Sequence, residues 1–149
     1  MVSPDLIERG EALWERVVAR MCGGSRRGII GVVRPSVLLV DDHRRFRASA
    51  RALLEAEGFE VVGEAADGDA ALLQAATLRP GLVLLDVQLP GRDGFAVAEL
   101  LACDPSAPAV ILISTRDAAS YGERLRLAPV LGFVAKSDLS GEAIERLLA

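Results

Sequence analysis

Short aliphatic runs alternate with helix-period stretches along most of this chain, and that alternation constrains its fold more than any other feature. The runs are Val37–Val40, Val61–Ala65, Leu82–Leu85, Val110–Ile113 and Gly132–Ala135. The stretch after the first run places Phe46, Ala50, Leu53 and Leu54 on one helical face and stops at Gly58, a residue suited to a helix end. Asp67 is placed to cap a second helix over Ala70–Leu78, which Arg79-Pro80-Gly81 breaks. A third helix is expected over Phe95–Cys103 and a fourth over Ala118–Leu127, where Pro129 forbids continuation; a fifth starts near Ser140. Continuous apolar strands in series with helices predict an α/β fold: a doubly wound, five-stranded parallel sheet covered on both faces.

The residues that end these runs share one chemical theme. The first leads into Asp41-Asp42, the third into Asp86, the fourth into Ser114 and the fifth into Lys136. Lys136 is the only lysine, all other cationic side chains being arginine, so its position calls for a compact, movable ammonium and not a planar fork. In open α/β sheets ligands bind beyond the carboxyl ends of the strands, near a topological switch point. With strand order 2-1-3-4-5 the first and third strands are neighbours, and Asp41, Asp42 and Asp86 converge. Mg²⁺ relieves the repulsion of three carboxylates with the hard oxygen ligands it prefers. A carboxylate also serves as a nucleophile and forms an acyl phosphate. Lys136 and Mg²⁺ would then neutralise the phosphoryl oxygens, and Ser114 would donate a hydrogen bond to one of them. Taken singly, each residue reads as a helix cap, a turn residue or solvated surface; their joint placement carries the specificity.

Composition narrows the alternatives. The 149 residues suffice for one domain with a real core, and scarce aromatics make that core aliphatic. Cys22 and Cys103 have neither metal-site nor redox-motif spacing and read as free thiols in a reducing cytoplasm. A single histidine, His43, leaves no room for a multi-histidine metal centre. No apolar run approaches membrane-spanning length, so no membrane partner is expected. Residues 1–35 carry six arginines against four acids; the remainder carries eleven cations against seventeen acids. An acidic main domain is a poor binder of phosphate backbones, so no direct nucleic-acid binding is expected.

The stretch from Val37 to Ala149 resembles the receiver domain of bacterial two-component response regulators. Val40-Asp41-Asp42-His43 is similar to that family's acidic pair, and residues 84–94, Leu-Leu-Asp-Val-Gln-Leu-Pro-Gly-Arg-Asp-Gly, to its phosphoacceptor strand and loop. Ile113-Ser114-Thr115 resembles the switch hydroxyl segment, and residues 132–137, Gly-Phe-Val-Ala-Lys-Ser, the aromatic and lysine. Residues 63–68, Gly-Glu-Ala-Ala-Asp-Gly, resemble the NarL/LuxR subfamily in particular. The resemblance implies that Asp86 is the phosphoacceptor, and that Asp42 binds Mg²⁺ directly while Asp41 assists through water. It further implies that the backbone carbonyl of Gln88 completes the protein ligands and that Lys136 pairs with Asp86 or its phosphoryl group. Ser114 and Phe133 would be the switch pair, the hydroxyl moving toward the phosphoryl while the ring turns inward. The implied partners are a sensor histidine kinase or phosphotransfer protein and a downstream protein target, with homodimerisation as a further option. Such a domain assists only its own phosphorylation and dephosphorylation. Ser137 departs from the proline many receivers carry after the lysine, which makes a cis peptide at 136–137 less expected.

Competing readings fall short. A haloacid-dehalogenase-type hydrolase needs a second Asp two residues after the nucleophile, where this chain has Gln88. A dinucleotide-binding module lacks its Gly-x-Gly-x-x-Gly after the first strand. A phosphorylation-independent interaction module would be expected to lack a site residue, yet Asp41, Asp42, Asp86, Ser114 and Lys136 are all present. The chain reaches Ala149 without a helix-turn-helix, which leaves two expectations: a stand-alone receiver, or part of a DNA-binding regulator. The domain is assigned to residues 36–149. Residues 1–35 form an extension in which Leu6, Ile7, Leu13, Trp14, Val17, Val18 and Met21 make one apolar helical stripe, followed by a linker. That stripe reads as a docking or dimerising helix anchored by Trp14. The alternative is a start codon near Val33.

Overall fold

The computed structural model describes residues 34–149 of the chain. Five parallel strands, β1 (Ser36–Val40), β2 (Glu60–Ala65), β3 (Leu82–Asp86), β4 (Ala109–Ser114) and β5 (Gly132–Ala135), form one sheet in the order β2-β1-β3-β4-β5. The helices are α1 (Arg44–Ala56), α2 (Gly68–Leu78), α3 (Gly94–Ala102), α4 (Glu123–Leu127) and α5 (Gly141–Leu148). The expected doubly wound fold and strand order are therefore observed.

Alternation along each strand splits the core into two layers. Val37, Leu39, Leu84, Ile111 and Ile113 face one side and pack with Ala50 and Leu54 of α1 and Ile144 and Leu148 of α5. Leu38, Val40, Leu85, Val110 and Leu112 face the other side, against Ala71 and Ala75 of α2 and Val97 and Leu101 of α3. Because both faces are covered, every residue of β3 and β4 is buried. That is why these strands read as unbroken apolar runs.

Side-chain caps fix where the helices begin. Asp67 accepts from the Ala70 N–H at the start of α2, as expected, and Asp93 and Ser140 do the same for α3 and α5. Gly58 lies just past α1 with φ +90°, the left-handed geometry that a glycine there allows.

The fourth helix differs from expectation. In place of one helix over 118–127 there is a 3₁₀ turn, Ala118–Ser120, capped by Asp117, and then the short α4. Gly122, at φ +53° and ψ −124°, separates them, because no helical hydrogen-bond ladder passes through a residue in that conformation. A second 3₁₀ turn, Lys136–Asp138, follows β5 directly, and no cis peptide occurs among the described residues.

Candidate functional site

Asp41, Asp86, Ser114 and Lys136 sit at the carboxyl edges of β1, β3, β4 and β5, Asp42 and Gln88 lie in the loops after β1 and β3, and Phe133 lies within β5. β1 and β3 are hydrogen-bonded neighbours, with Val40 paired to Leu85, so Asp41 and Asp86 emerge side by side. β4 and β5 bring Ser114 opposite Ala135, one residue before Lys136. Asp41, Asp86 and Ser114 are buried, whereas Asp42 is exposed.

Lys136 ties the acids together. Its Nζ lies 2.5 Å from Asp41 Oδ2 and donates to Asp86 Oδ2 at 3.1 Å. The same ammonium stands 4.6 Å from the centroid of the Phe46 ring on α1, so one helix supplies an aromatic cover for the lysine. Asp41 is held on its other side. The His43 N–H donates to its Oδ1 at 2.7 Å, and Arg47 Nη1 donates to its backbone carbonyl at 2.5 Å. The His43 ring Nδ1 lies 3.2 Å from Asp41 Oδ1 and 3.0 Å from Asp42 Oδ1. The Gln88 N–H donates to Asp86 Oδ1 at 3.1 Å, which closes the loop after β3 around the carboxylate. Gly94 completes that loop by donating to the Val87 carbonyl at 2.8 Å.

Charge and burial oppose each other here. Burial pushes the Asp86 carboxyl above its ordinary range, and the Asp41 charge adds to it; the Gln88 N–H and Lys136 offset only part. Burial would also lower Lys136, but its contact with Asp41 and the Asp86 charge outweigh that, leaving the ammonium above its ordinary value. A carboxyl whose folded pKa is raised contributes stability below its unfolded value and loses it as pH rises through the folded value. Without divalent cations, wild type should therefore lose stability relative to Asp86→Asn as pH rises from below the carboxylate range to neutrality. Melting curves in chelator should show the Asn variant higher at neutral pH and the two converging in acid. A gap independent of pH would show that Asp86 titrates normally.

The donor set fits a hard divalent cation. Asp41, Asp42, His43 and Asp86 each offer a ligand atom, all within 4.8 Å of one another. Asp41 Oδ2 is buried and, apart from the Lys136 ion pair, accepts no hydrogen bond. Three carboxylates suit Mg²⁺, which demands oxygen ligands.

The roles of two participants were not foreseen in the sequence. His43, which the sequence marks as the single histidine and as part of the acidic motif, contacts both Asp41 and Asp42. Tyr121, inside the segment read as a continuous helix, places its hydroxyl 2.6 Å from Ser114 Oγ and its ring 5.8 Å from that of Phe133. The usable signal was that it is the chain's one tyrosine, seven residues after Ser114.

A five-stranded 2-1-3-4-5 sheet with helices on both faces defines the class as the flavodoxin-like receiver fold, shared with the response regulator domain of Thermotoga maritima CheB and with Vibrio cholerae CheY4. The chain belongs to the response regulator receiver domain family, whose family model matches residues 37–147. It is 38% identical over 102 residues to the transcriptional regulatory protein PdtaR of Mycobacterium tuberculosis, covering 67% of this chain and 48% of that protein. To the DNA-binding transcriptional activator EvgA of Escherichia coli it is 31% identical over 103 residues, covering 69% of this chain and 50% of the other. The chain thus spans about half the length of these curated relatives. A LuxR-family two-component response regulator from Aurantimonas superposes with a TM-score of 0.70 at 28% identity, over 77% of this chain and 85% of that one. Among the described residues no helix is long and apolar enough to cross a membrane.

Proposed function

We propose that residues 36–149 are a phosphoacceptor switch in a two-component pathway of the cytoplasm, with Asp86 receiving the phosphoryl group. The observation that carries this reading is Lys136 Nζ bridging Asp41 and Asp86 beside a carboxylate cluster at the carboxyl edge of the sheet. An Asp86 oxygen attacks phosphorus, the bond to the donor breaks, and the donor leaves with its electron pair; for a histidine kinase or phosphotransfer protein that bond is P–N. Asp41, Asp42, Asp86 and the Gln88 carbonyl would hold Mg²⁺. The ion supplies charge neutralisation on the phosphoryl oxygens. Lys136 keeps its proton and neutralises a further oxygen. Ser114 donates to the phosphoryl group, and Phe133 follows it inward. The output is a population shift between two packings that changes protein contacts.

The test uses a small phosphodonor with Mg²⁺, read by intact mass. A single added phosphoryl group that disappears with chelator is expected; labelling indifferent to chelator would remove the metal from the scheme. A second reading, a receiver from a longer DNA-binding regulator, is favoured by one observation: the chain matches half of the DNA-binding activator EvgA. A helix-turn-helix reading frame continuous with residue 149 in the genome would support it.

For the extension we retain the docking helix with Trp14 as anchor; residues 1–33 lie outside the described part. Mass spectrometry of the native N-terminus decides whether the segment is translated. If it is, Trp14→Ala should weaken dimerisation or partner binding severalfold while phosphorylation of Asp86 is unchanged. Equal association by both forms would retire the idea.

A further inference from the structure

Ser114 ends β4 fully buried, and its hydroxyl is already engaged. The Arg116 N–H donates to Ser114 Oγ at 3.1 Å, and the Tyr121 hydroxyl lies 2.6 Å from the same oxygen. Among the described residues no hydrogen bond joins Ser114 to Asp86 or Lys136. The serine therefore sits at the site's edge with its oxygen committed to the phenol.

The phenol is itself held in place. Its ring meets Phe95 edge-on, with centroids 5.6 Å apart at 63°, and Phe133 at 5.8 Å and 54°. The Arg124 guanidinium covers Phe95 at 4.3 Å from its centroid and binds Asp93 Oδ2 at 2.6 Å. Asp93 in turn caps α3, the helix that follows the Asp86 loop. Three rings and one ion pair thus fix the hydroxyl relative to Ser114, and Tyr121 touches both members of the Ser114–Phe133 pair.

We propose that Tyr121 is a positioning residue that latches Ser114 in its resting place through the phenol–serine hydrogen bond, which phosphorylation must break. The inference rests on the phosphoacceptor reading given above. The bond exists in the resting packing and is lost when Ser114 Oγ moves toward a phosphoryl group on Asp86. Tyr121→Phe keeps the ring stack and removes the bond, so it weakens only the resting packing. The balance then tips toward the phosphorylated packing by roughly two- to tenfold, the net worth of one such bond.

Tyr121 is the chain's single tyrosine, so 3-fluorotyrosine incorporated into the full chain gives one fluorine resonance. Without any phosphodonor, Ser114→Ala should move that resonance, because the phenol loses its partner. Adding acetyl phosphate and Mg²⁺ to wild type should move it in the same direction. In parallel, Tyr121→Phe should raise the labelled fraction at limiting donor by roughly two- to tenfold. That gain should vanish when Ser114→Ala is already present, a dependence that a merely structural role of the ring would not show. An identical resonance in wild type and Ser114→Ala overturns the latch, as does a Tyr121→Phe gain that persists without the serine hydroxyl. Failure of wild type to take any phosphoryl group would instead defeat the phosphoacceptor reading, while the donor-free resonance comparison still decides whether the phenol–serine bond forms.

Discussion

Asp86→Asn is expected to take no phosphoryl group under conditions that label wild type fully. The amide retains the size and the Gln88 contact of the carboxylate, so the fold is preserved, but it is a far poorer nucleophile toward phosphorus. Asp41 and Asp42 remain nearby, yet neither replaces Asp86. Asp41 is engaged by Lys136 and by the His43 N–H, and Asp42 lies on the exposed side of the cluster. The effect should be a loss of at least about a hundredfold in labelling rate, the scale on which removing a covalent catalytic group acts. Intact mass after incubation with donor and Mg²⁺ reads it directly. Labelling of the Asn variant at the wild-type rate would move the phosphorylation site elsewhere.

Gly94→Ala should produce the other large effect, on folding and chemistry together. A Cβ on Gly94 would stand 2.4 Å from the Asp86 carbonyl oxygen and 2.8 Å from Val87 Cα. Both are backbone atoms of the strand end that carries Asp86, so no side chain can swing aside. Relief requires α3 to back away or Asp86 to shift, and either breaks the Gly94–Val87 hydrogen bond. Overpacking of this kind costs about 1–3 kcal/mol. For a domain of this size that lowers the melting temperature by several degrees. Labelling should slow as well, since Asp86 is displaced from Lys136. A variant that melts and labels like wild type would show that the loop yields without cost.

The parts of this molecule that were legible in the sequence are those whose position a strand end dictates. β3 and β4 are buried on both sides, so their residues form uninterrupted aliphatic words, and the polar residue that follows must emerge at the sheet edge. Asp86, Ser114 and Lys136 were locatable for that reason, as was the neighbouring pair Asp41-Asp42 after β1. The segment between β4 and β5 was not legible. Ala118–Leu127 carries helical periodicity throughout, but its geometry is decided by Gly122 taking a left-handed φ, which periodicity does not encode. Tyr121 was missed with it, since its contact with Ser114 depends on the chain turning there. Phe46 and Lys136, ninety residues apart, meet only because α1 packs back over the carboxyl end of β1.

Lys136 has a practical consequence. It is the chain's only lysine, its side chain is about 10% exposed, and two carboxylates face its ammonium. Amine-acylating reagents therefore find the one lysine shielded. An acyl group on Lys136 would count an opening of the pocket, and its rate of appearance would rank ligands by how well they keep the pocket shut.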